Sequence, residues 1–113
     1  MLPPIILSIA GSDCSGGAGI QADIKTISAL GGYAASVITA VTAQNTLGVQ
    51  SVYPIPADMV KAQITSVMDD LRPDAVKIGM VHDASIVTTI VDCLQTYTPE
   101  CIVYDLSLIH ISE

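Results

Sequence analysis

Short apolar runs alternate along the chain with longer segments whose apolar residues recur at helical spacing. The apolar runs predict strands at Ile5–Ala10, Ala34–Ala43, Val49–Tyr53, Val76–Ile78 and Cys101–Tyr104. The segments between them predict helices at Ala18–Leu30, Ala57–Leu71 and Ala84–Gln95. Strands that alternate with helices form βαβ units, so the pattern predicts an α/β fold with a mostly parallel sheet.

The second predicted strand, Ala34–Ala43, carries apolar residues at both alternating sets of positions. Such a strand is buried on both faces, as the strands of a parallel sheet are. Ligands of these sheets bind beyond the carboxyl ends of the strands. This rule selects four groups of candidate residues, which are Gly11–Ser15, Thr42–Asn45, Gly79–Met80 and Asp105.

The composition excludes several classes of partner. The 113 residues fit one small domain or part of a larger one. Four Lys and Arg residues against eleven Asp and Glu give a net charge of −7, without any basic cluster. This balance argues against nucleic acid and anionic membrane surfaces as partners. No apolar run approaches the ~18 residues of a membrane span.

The N-terminus and the cysteines indicate a cytoplasmic protein. Met1–Ala10 is apolar, but no Lys or Arg precedes the apolar residues, which is unlike a signal peptide. The three cysteines form no C-x-x-C motif, and their odd number is atypical of a disulfide framework or a zinc site. We therefore predict a reducing compartment, the cytoplasm, and no metal site.

The densest motif is the loop Gly11–Gly19, in which four of nine residues are glycine. Small residues let the backbone approach a ligand, and the start of the following helix can hold a negative group. The Walker A motif is not met, because Gly17 occupies the position of its lysine. The segment Gly17–Ala22 fits the G-x-G-x-x-A dinucleotide pattern but begins too far after the strand. A dinucleotide site and a plain strand-to-helix connection remain as alternatives.

Asp23 falls within the apolar stripe of the helix that follows this loop, beside Ile20, Ile24 and Ile27. An unpaired charge on a face turned towards the core is strongly unfavourable. Asp23 therefore needs a hydrogen-bond donor, from a loop N–H or from a ligand, and we favour the ligand. The alternative is a carboxylate stabilised only by the helix dipole.

Three further side chains are candidates for the same edge of the sheet. Gln44 ends an otherwise apolar strand, and its amide can pair with the donors and acceptors of a heterocycle, although it could also stabilise a turn. Thr42 shares the face of Gln44 if the strand alternation persists, with a plain strand-end threonine as the alternative. Met80 could form an apolar wall under a flat ring, or it could belong to the core.

Three motifs together resemble one known family. They are Ile9–Thr26 (IAGSDCSGGAGIQADIKT), Thr39–Thr46 (TAVTAQNT) and Val76–Met80 (VKIGM). These segments closely resemble the hydroxymethylpyrimidine/phosphomethylpyrimidine kinases of thiamin biosynthesis, which belong to the ribokinase-like superfamily. Pyridoxal kinases share that fold, but we do not expect this glycine loop together with Gln44 in them.

The resemblance implies a three-layer αβα sandwich with a mostly parallel central sheet. It implies an enzyme that uses ATP and Mg²⁺ to phosphorylate 4-amino-5-hydroxymethyl-2-methylpyrimidine and then its monophosphate, and a homodimer at full length. The segment Val49–Tyr53 would belong to a small flap over the substrate. Matching of motif positions implies five substrate-binding residues: Gln44 bonded to the pyrimidine, Asp23 and Gly11 at the pocket border, Met80 on the ring and Thr42 at the other wall.

The chain departs from the family after Asp105. The family continues there with Pro-Val-Met, whereas residues 106–113 resemble translated sequencing-adapter sequence. We therefore expect residues 1–105 to be the N-terminal substrate-binding part of a ribokinase-like domain and residues 106–113 to be an atypical tail. The resemblance then implies a truncated, inactive fragment without the C-terminal half that holds the ATP site, so no residue is assigned a catalytic role. A non-catalytic pyrimidine-binding module is the alternative, and a dinucleotide-binding domain is less favoured.

Overall fold

The computed structural model describes residues 2–81 and 83–105 as alternating strands and helices. The strands are β1 (Ile5–Ala10), β2 (Tyr33–Ile38), β3 (Ala40–Asn45), β4 (Gly48–Pro54), β5 (Ala75–Ile78) and β6 (Ile102–Tyr104). The helices are α1 (Gly19–Ala29), α2 (Ala57–Asp70) and α3 (Ala84–Tyr97). Residues 106–113, which we expect to form an atypical tail, lie outside the described residues.

The main sheet has four strands in the order β2-β1-β5-β6, and every neighbouring pair is parallel. Ile5 of β1 is opposite Tyr33 of β2, and Val76 of β5 is opposite Ile102 of β6. The predicted α/β fold with a mostly parallel sheet is confirmed. Because all four strands run the same way, their carboxyl ends meet at one edge of the sheet.

One face of this sheet carries the hydrophobic core. Leu7, Ile9 and Val76 are each 0% exposed and point towards α2 and α3. The helices complete the cluster with Val60, Ile64, Met68, Ile86, Ile90, Cys93 and Leu94. The apolar residues recur every three or four positions in α2 and α3, so each helix buries one stripe and exposes the other side.

The opposite face packs against α1 at β1 and β2 and is partly polar. Successive side chains of a strand point to opposite faces, so Ser8 and Lys77 lie on the α1 side while Leu7 and Val76 lie in the core. Both polar side chains bond to Asp23 of α1. Helix layers on both faces of the sheet give the three-layer αβα arrangement.

The predicted single strand Ala34–Ala43 is wrong, because the chain divides there into β2 and β3. Thr39, between the two strands, donates its N–H to the main-chain oxygen of Ala10 at 3.0 Å, and its own oxygen accepts from Ile55 N at 2.9 Å. Strand β3 then pairs with β4 as an antiparallel hairpin. Val41 is 49% exposed, so the expected burial on both faces ends with β2. Hydrophobicity continues through this junction and therefore does not mark the change of sheet.

Within the described part of the chain, no helix is both long and apolar enough to cross a membrane.

We predict that Val60→Ala lowers the free energy of unfolding by about 2 kcal/mol, because it removes two buried methyl groups from the core. Val87→Ala is the matched control, since each valine is the fourth residue of its helix and Val87 is 40% exposed. We expect the control to change stability by less than about 0.5 kcal/mol. Urea denaturation of both variants measures the difference, and equal losses would contradict this packing of α2.

Candidate functional site

The glycine loop between β1 and α1 is organised by the carboxylate of Asp13. Asp13 Oδ1 accepts from Ser15 N at 2.9 Å and from Ser15 Oγ at 2.6 Å. Asp13 Oδ2 accepts from Gly17 N at 3.1 Å and from Ala18 N at 2.8 Å. Asp13 itself is only 3% exposed. These hydrogen bonds, that from the Ser15 hydroxyl first, hold the pKa of Asp13 below the ordinary value of 3.8 against the opposing effect of burial.

The bonds to Asp13 change the interpretation of the loop. Backbone N–H groups near a helix start can bind a phosphate or another anion. Here Gly17 and Ala18, which directly precede α1, already donate to a carboxylate of the chain itself. The loop is therefore a fixed border of the site. Because its N–H groups already donate to Asp13, they are not available to a pyrophosphate, which argues against the dinucleotide alternative.

Close backbone contacts hold the loop against the first turn of α1 and against β3. Ile20 N donates to the main-chain oxygen of Gly11 at 3.0 Å, and Ser12 N donates to Ala40 O at 2.9 Å. Gly19 has a φ of +60°, and a Cβ atom there would lie 2.4 Å from Gly11 O. Glycine at position 19 is thus required both by the backbone conformation and by the close approach of Gly11.

A cavity of ≈ 360 Å³ opens at the carboxyl edge of the main sheet. Gly11 follows β1 and Met80 follows β5, while the β3–β4 hairpin supplies the opposite side. Four of the five predicted substrate-binding residues line this cavity: Gly11, Thr42, Gln44 and Met80. Met80 is 39% exposed and therefore lies at the surface of the cavity, as an apolar wall requires, and not in the core.

Gln44 and Thr42 are held to the glycine loop by hydrogen bonds. Cys14 Sγ donates to the main-chain oxygen of Gln44 at 3.0 Å, and Gln44 N donates to Cys14 Sγ at 3.3 Å. Thr42 N donates to Ser12 Oγ at 3.0 Å, and Thr42 Oγ1 donates to Ser12 O at 2.6 Å. Thr42 Oγ1 also lies 3.2 Å from Gln44 Oε1. The expected sharing of one face by Thr42 and Gln44 is confirmed.

Asp23 is the predicted site residue that does not line the cavity. Ser8 Oγ donates to Asp23 Oδ2 at 2.7 Å, and Lys77 Nζ forms an ion pair with Asp23 Oδ1 at 2.7 Å. Its partners are thus two side chains of the sheet and not a loop N–H, while the expected ligand donor stays a prediction. Lys77 does line the cavity. Asp23 is therefore joined to the lining of the cavity through Lys77.

Sequence reasoning gave no individual role to two residues of the site, Asp13 within the candidate group Gly11–Ser15 and Lys77. The signal for Asp13 was present, because an aspartate two residues before a serine in a glycine-rich loop is typical of an Asx turn. Lys77 is a charged residue in the middle of an apolar strand. A partly buried charge is unfavourable without an oppositely charged partner, so its position indicates a nearby carboxylate. Aspartates also line the cavity, but the described residues contain no group of three or more His, Cys, Asp or Glu arranged to hold a metal ion.

A family model and a curated relative indicate the same family. Residues 13–112 match the family model described as phosphomethylpyrimidine kinase. A hydroxymethylpyrimidine/phosphomethylpyrimidine kinase of Escherichia coli is 58% identical over 99 residues, which cover 88% of this chain and 37% of the relative. The chain thus spans 37% of the length of that curated relative.

Solved structures of similar proteins have the same fold. The crystal structure of a phosphomethylpyrimidine kinase from Clostridium difficile superposes with a TM-score of 0.88 at 54% identity, covering 90% of this chain and 44% of that chain. A pyridoxal kinase from Staphylococcus aureus in complex with AMP-PCP and pyridoxal superposes with a TM-score of 0.83 at 31% identity. The superposition covers 93% of this chain and 39% of that chain. These neighbours are ribokinase-like kinases, which confirms the ribokinase-like fold class expected from the motifs.

We predict that Gly19→Ala destabilises the protein by at least about 2 kcal/mol more than Gly31→Ala. Both glycines have positive φ, +60° and +89°, but a Cβ at position 31 meets nothing within 4 Å. The pair therefore separates the clash with Gly11 from the cost of the left-handed conformation. Thermal unfolding monitored by circular dichroism measures both variants, and equal destabilisation would show that α1 does not approach Gly11 this closely.

We predict that Asp13→Asn lowers the melting temperature at pH 7, because the new NH₂ group faces N–H donors of the loop. A lowered folded-state pKa means that the stabilisation by Asp13 is complete above pH 3.8 and is lost as the pH falls further. The difference between wild type and variant should therefore shrink as the pH falls below about 4. Asp92→Asn, on the exposed side of α3, is the control. A difference that stays constant with pH would contradict the assigned role of the Asp13 carboxylate.

Proposed function

We propose a function from one premise, which is that the chain belongs to the phosphomethylpyrimidine kinase family. The proposed activity of the whole family member is ATP-dependent phosphorylation of 4-amino-5-hydroxymethyl-2-methylpyrimidine and of its monophosphate in thiamin biosynthesis. This chain spans 37% of the E. coli relative, and we assign to it the pyrimidine-binding part of the enzyme.

The observation that carries this proposal is the cavity in which residues of separate segments converge. Gly11 follows β1, Thr42 and Gln44 belong to β3, and Met80 follows β5. A flat heterocycle needs an apolar surface against its ring and a few well-placed polar groups at its edge. Met80 and the methyl group of Thr42 supply apolar surface, and the amide of Gln44 supplies one donor and one acceptor for the ring edge.

Asp23 and Lys77 have a joint role in the proposal. The Lys77 side chain is 32% exposed and lines the cavity, whereas the Asp23 side chain is 14% exposed and does not line it. Asp23 also accepts from Ser8 and is therefore fixed by two partners of the sheet. We assign Asp23 as a positioning residue that holds the Lys77 ammonium at the floor of the site. A cation there would favour the phosphorylated substrate over a neutral ring.

The sequence identities to known kinases favour a pyrimidine over pyridoxal as the substrate. Relatives named as phosphomethylpyrimidine kinases are 58% and 54% identical to the chain, whereas a pyridoxal kinase of S. aureus is 31% identical. The fold is common to both groups, since the TM-scores are 0.88 and 0.83. The choice between the pyrimidine and pyridoxal therefore depends on the residues of the cavity and not on the architecture.

Nucleotide use and assembly complete the proposal. Structures of the S. aureus pyridoxal kinase hold AMP-PCP or ADP, and we propose ATP with Mg²⁺ as the phosphoryl donor of the whole enzyme. None of the described residues is assigned to Mg²⁺ or to the transfer step. A cytoplasmic location and a homodimer at full length are further proposals from the resemblance, although a rice relative is named as chloroplastic.

Calorimetric titration of this chain with 4-amino-5-hydroxymethyl-2-methylpyrimidine tests the proposal. We expect saturable binding, weaker binding of pyridoxal, and a loss of pyrimidine affinity of roughly 5- to 150-fold in Gln44→Ala, since the ligand loses a hydrogen-bond partner. Gln95→Ala, on the exposed side of α3, is the matched control and should bind like the wild type. Saturable binding that is unaffected by Gln44→Ala would remove Gln44 from the site, and phosphorylation by this chain alone would overturn its assignment as the binding part only.

A further inference from the structure

The hydroxyl group of Thr42 lies between two acceptors but has one proton to donate. Its Oγ1 atom is 2.6 Å from the main-chain oxygen of Ser12 and 3.2 Å from Gln44 Oε1. A distance of 2.6 Å is that of a strong O–H···O hydrogen bond. A carbonyl oxygen cannot donate, so the proton between Thr42 and Ser12 must come from Thr42. The shorter contact therefore takes the hydroxyl proton.

With its proton directed to Ser12, Thr42 Oγ1 can only accept from Gln44. The two ends of a glutamine amide have nearly the same shape, and the surrounding hydrogen bonds decide which end occupies which position. We infer that Gln44 turns its Nε2 towards Thr42 and donates to Oγ1, so that Thr42 fixes the direction of the amide. Two unprotonated oxygens 3.2 Å apart would repel each other, whereas the turned amide replaces that contact with a hydrogen bond.

The main chain of Gln44 is already held by other bonds, which leaves the direction of its side-chain amide as the property that Thr42 controls. Its main-chain N and O both bond to Cys14 Sγ, at 3.3 and 3.0 Å. Thr42 is itself fixed by two hydrogen bonds to Ser12. Both side chains line the cavity, so the direction of the amide determines what a ligand meets there.

A fixed amide presents a fixed order of one acceptor, Oε1, and one donor, the second hydrogen of Nε2. This inference rests on the proposed function, because it concerns the edge of the pyrimidine. The edge has a ring nitrogen that accepts beside a 4-amino group that donates, and it matches the amide in one order only. A 4-oxo ring in the same placement has a protonated ring nitrogen beside an accepting oxygen, which sets donor against donor and acceptor against acceptor. Thr42 is therefore the residue that makes the site select a 4-amino over a 4-oxo pyrimidine.

The first test needs no ligand. In ¹⁵N-resolved NMR spectra of this chain, we expect one side-chain hydrogen of Gln44 to show the downfield shift and slow exchange of a hydrogen-bonded amide. Thr42→Ser retains the hydroxyl group and should retain this signature, whereas Thr42→Val should lose it. A wild-type Gln44 amide whose two hydrogens exchange like those of exposed glutamines would overturn the inference without any variant. The wild-type spectrum thus decides even if Thr42→Val does not fold.

The second test measures selectivity. The chain and both variants are titrated with 4-amino-5-hydroxymethyl-2-methylpyrimidine and with its 4-oxo analogue. We expect the ratio of the two affinities to fall roughly tenfold in Thr42→Val, where the amide is free to turn, and to be preserved in Thr42→Ser. Equal affinity ratios in all three proteins would overturn the inference. If Thr42 had only a structural role, its substitution would weaken the binding of both ligands alike. If the wild type binds neither ring, the proposed function fails, while the NMR result still decides the direction of the amide.

Discussion

The site depends on the carboxylate of Asp13 inside the glycine loop. A loop with four glycines has a large conformational entropy in the unfolded chain, and it needs strong local bonds to adopt one shape. Asp13 supplies them by accepting four hydrogen bonds from Ser15, Gly17 and Ala18. Because the loop is fixed in this way, Ser12 and Cys14 are available at defined positions. These two residues in turn hold Thr42 and Gln44 of the neighbouring hairpin.

The parallel sheet provides the second constraint, which is the meeting of strand ends at one edge. Strands β1 and β5 are neighbours in the sheet although 64 residues of sequence lie between Ala10 and Ala75. Gly11 and Met80 therefore border one cavity. On the α1 face, Ser8 of β1 and Lys77 of β5 share one carboxylate of α1. The same pairing of strands thus builds both the pocket border and the ion pair beneath it.

The sequence predicted the architecture well because burial and periodicity are local properties. The strands at Ile5–Ala10 and Val76–Ile78 and the three helices lie where the pattern placed them, within a few residues at their ends. The end of α1 is a clear case, since Gly31 adopts φ +89° and Gly32 N donates to Ile27 O at 2.9 Å. The division at Thr39 was missed because both sides of it are apolar. Only the hydrogen bonds of Thr39 to Ala10 and Ile55, which are remote in sequence, redirect the chain into the hairpin.

By itself, the sequence determined the fold class and the segments that reach the carboxyl edge, because hydropathy and turn chemistry act between near neighbours. The resemblance of three motifs indicated the family. It also marked Asp23 as a charge that needs a partner. The tertiary structure alone decided what that partner is, since Asp23 and Lys77 are 54 positions apart and meet only when β1 and β5 pair. It also decided that the loop binds its own carboxylate and that Thr42 contacts both Ser12 and Gln44. The direction of a hydrogen bond depends on which groups surround it in space, and the order of residues along the chain does not contain that information.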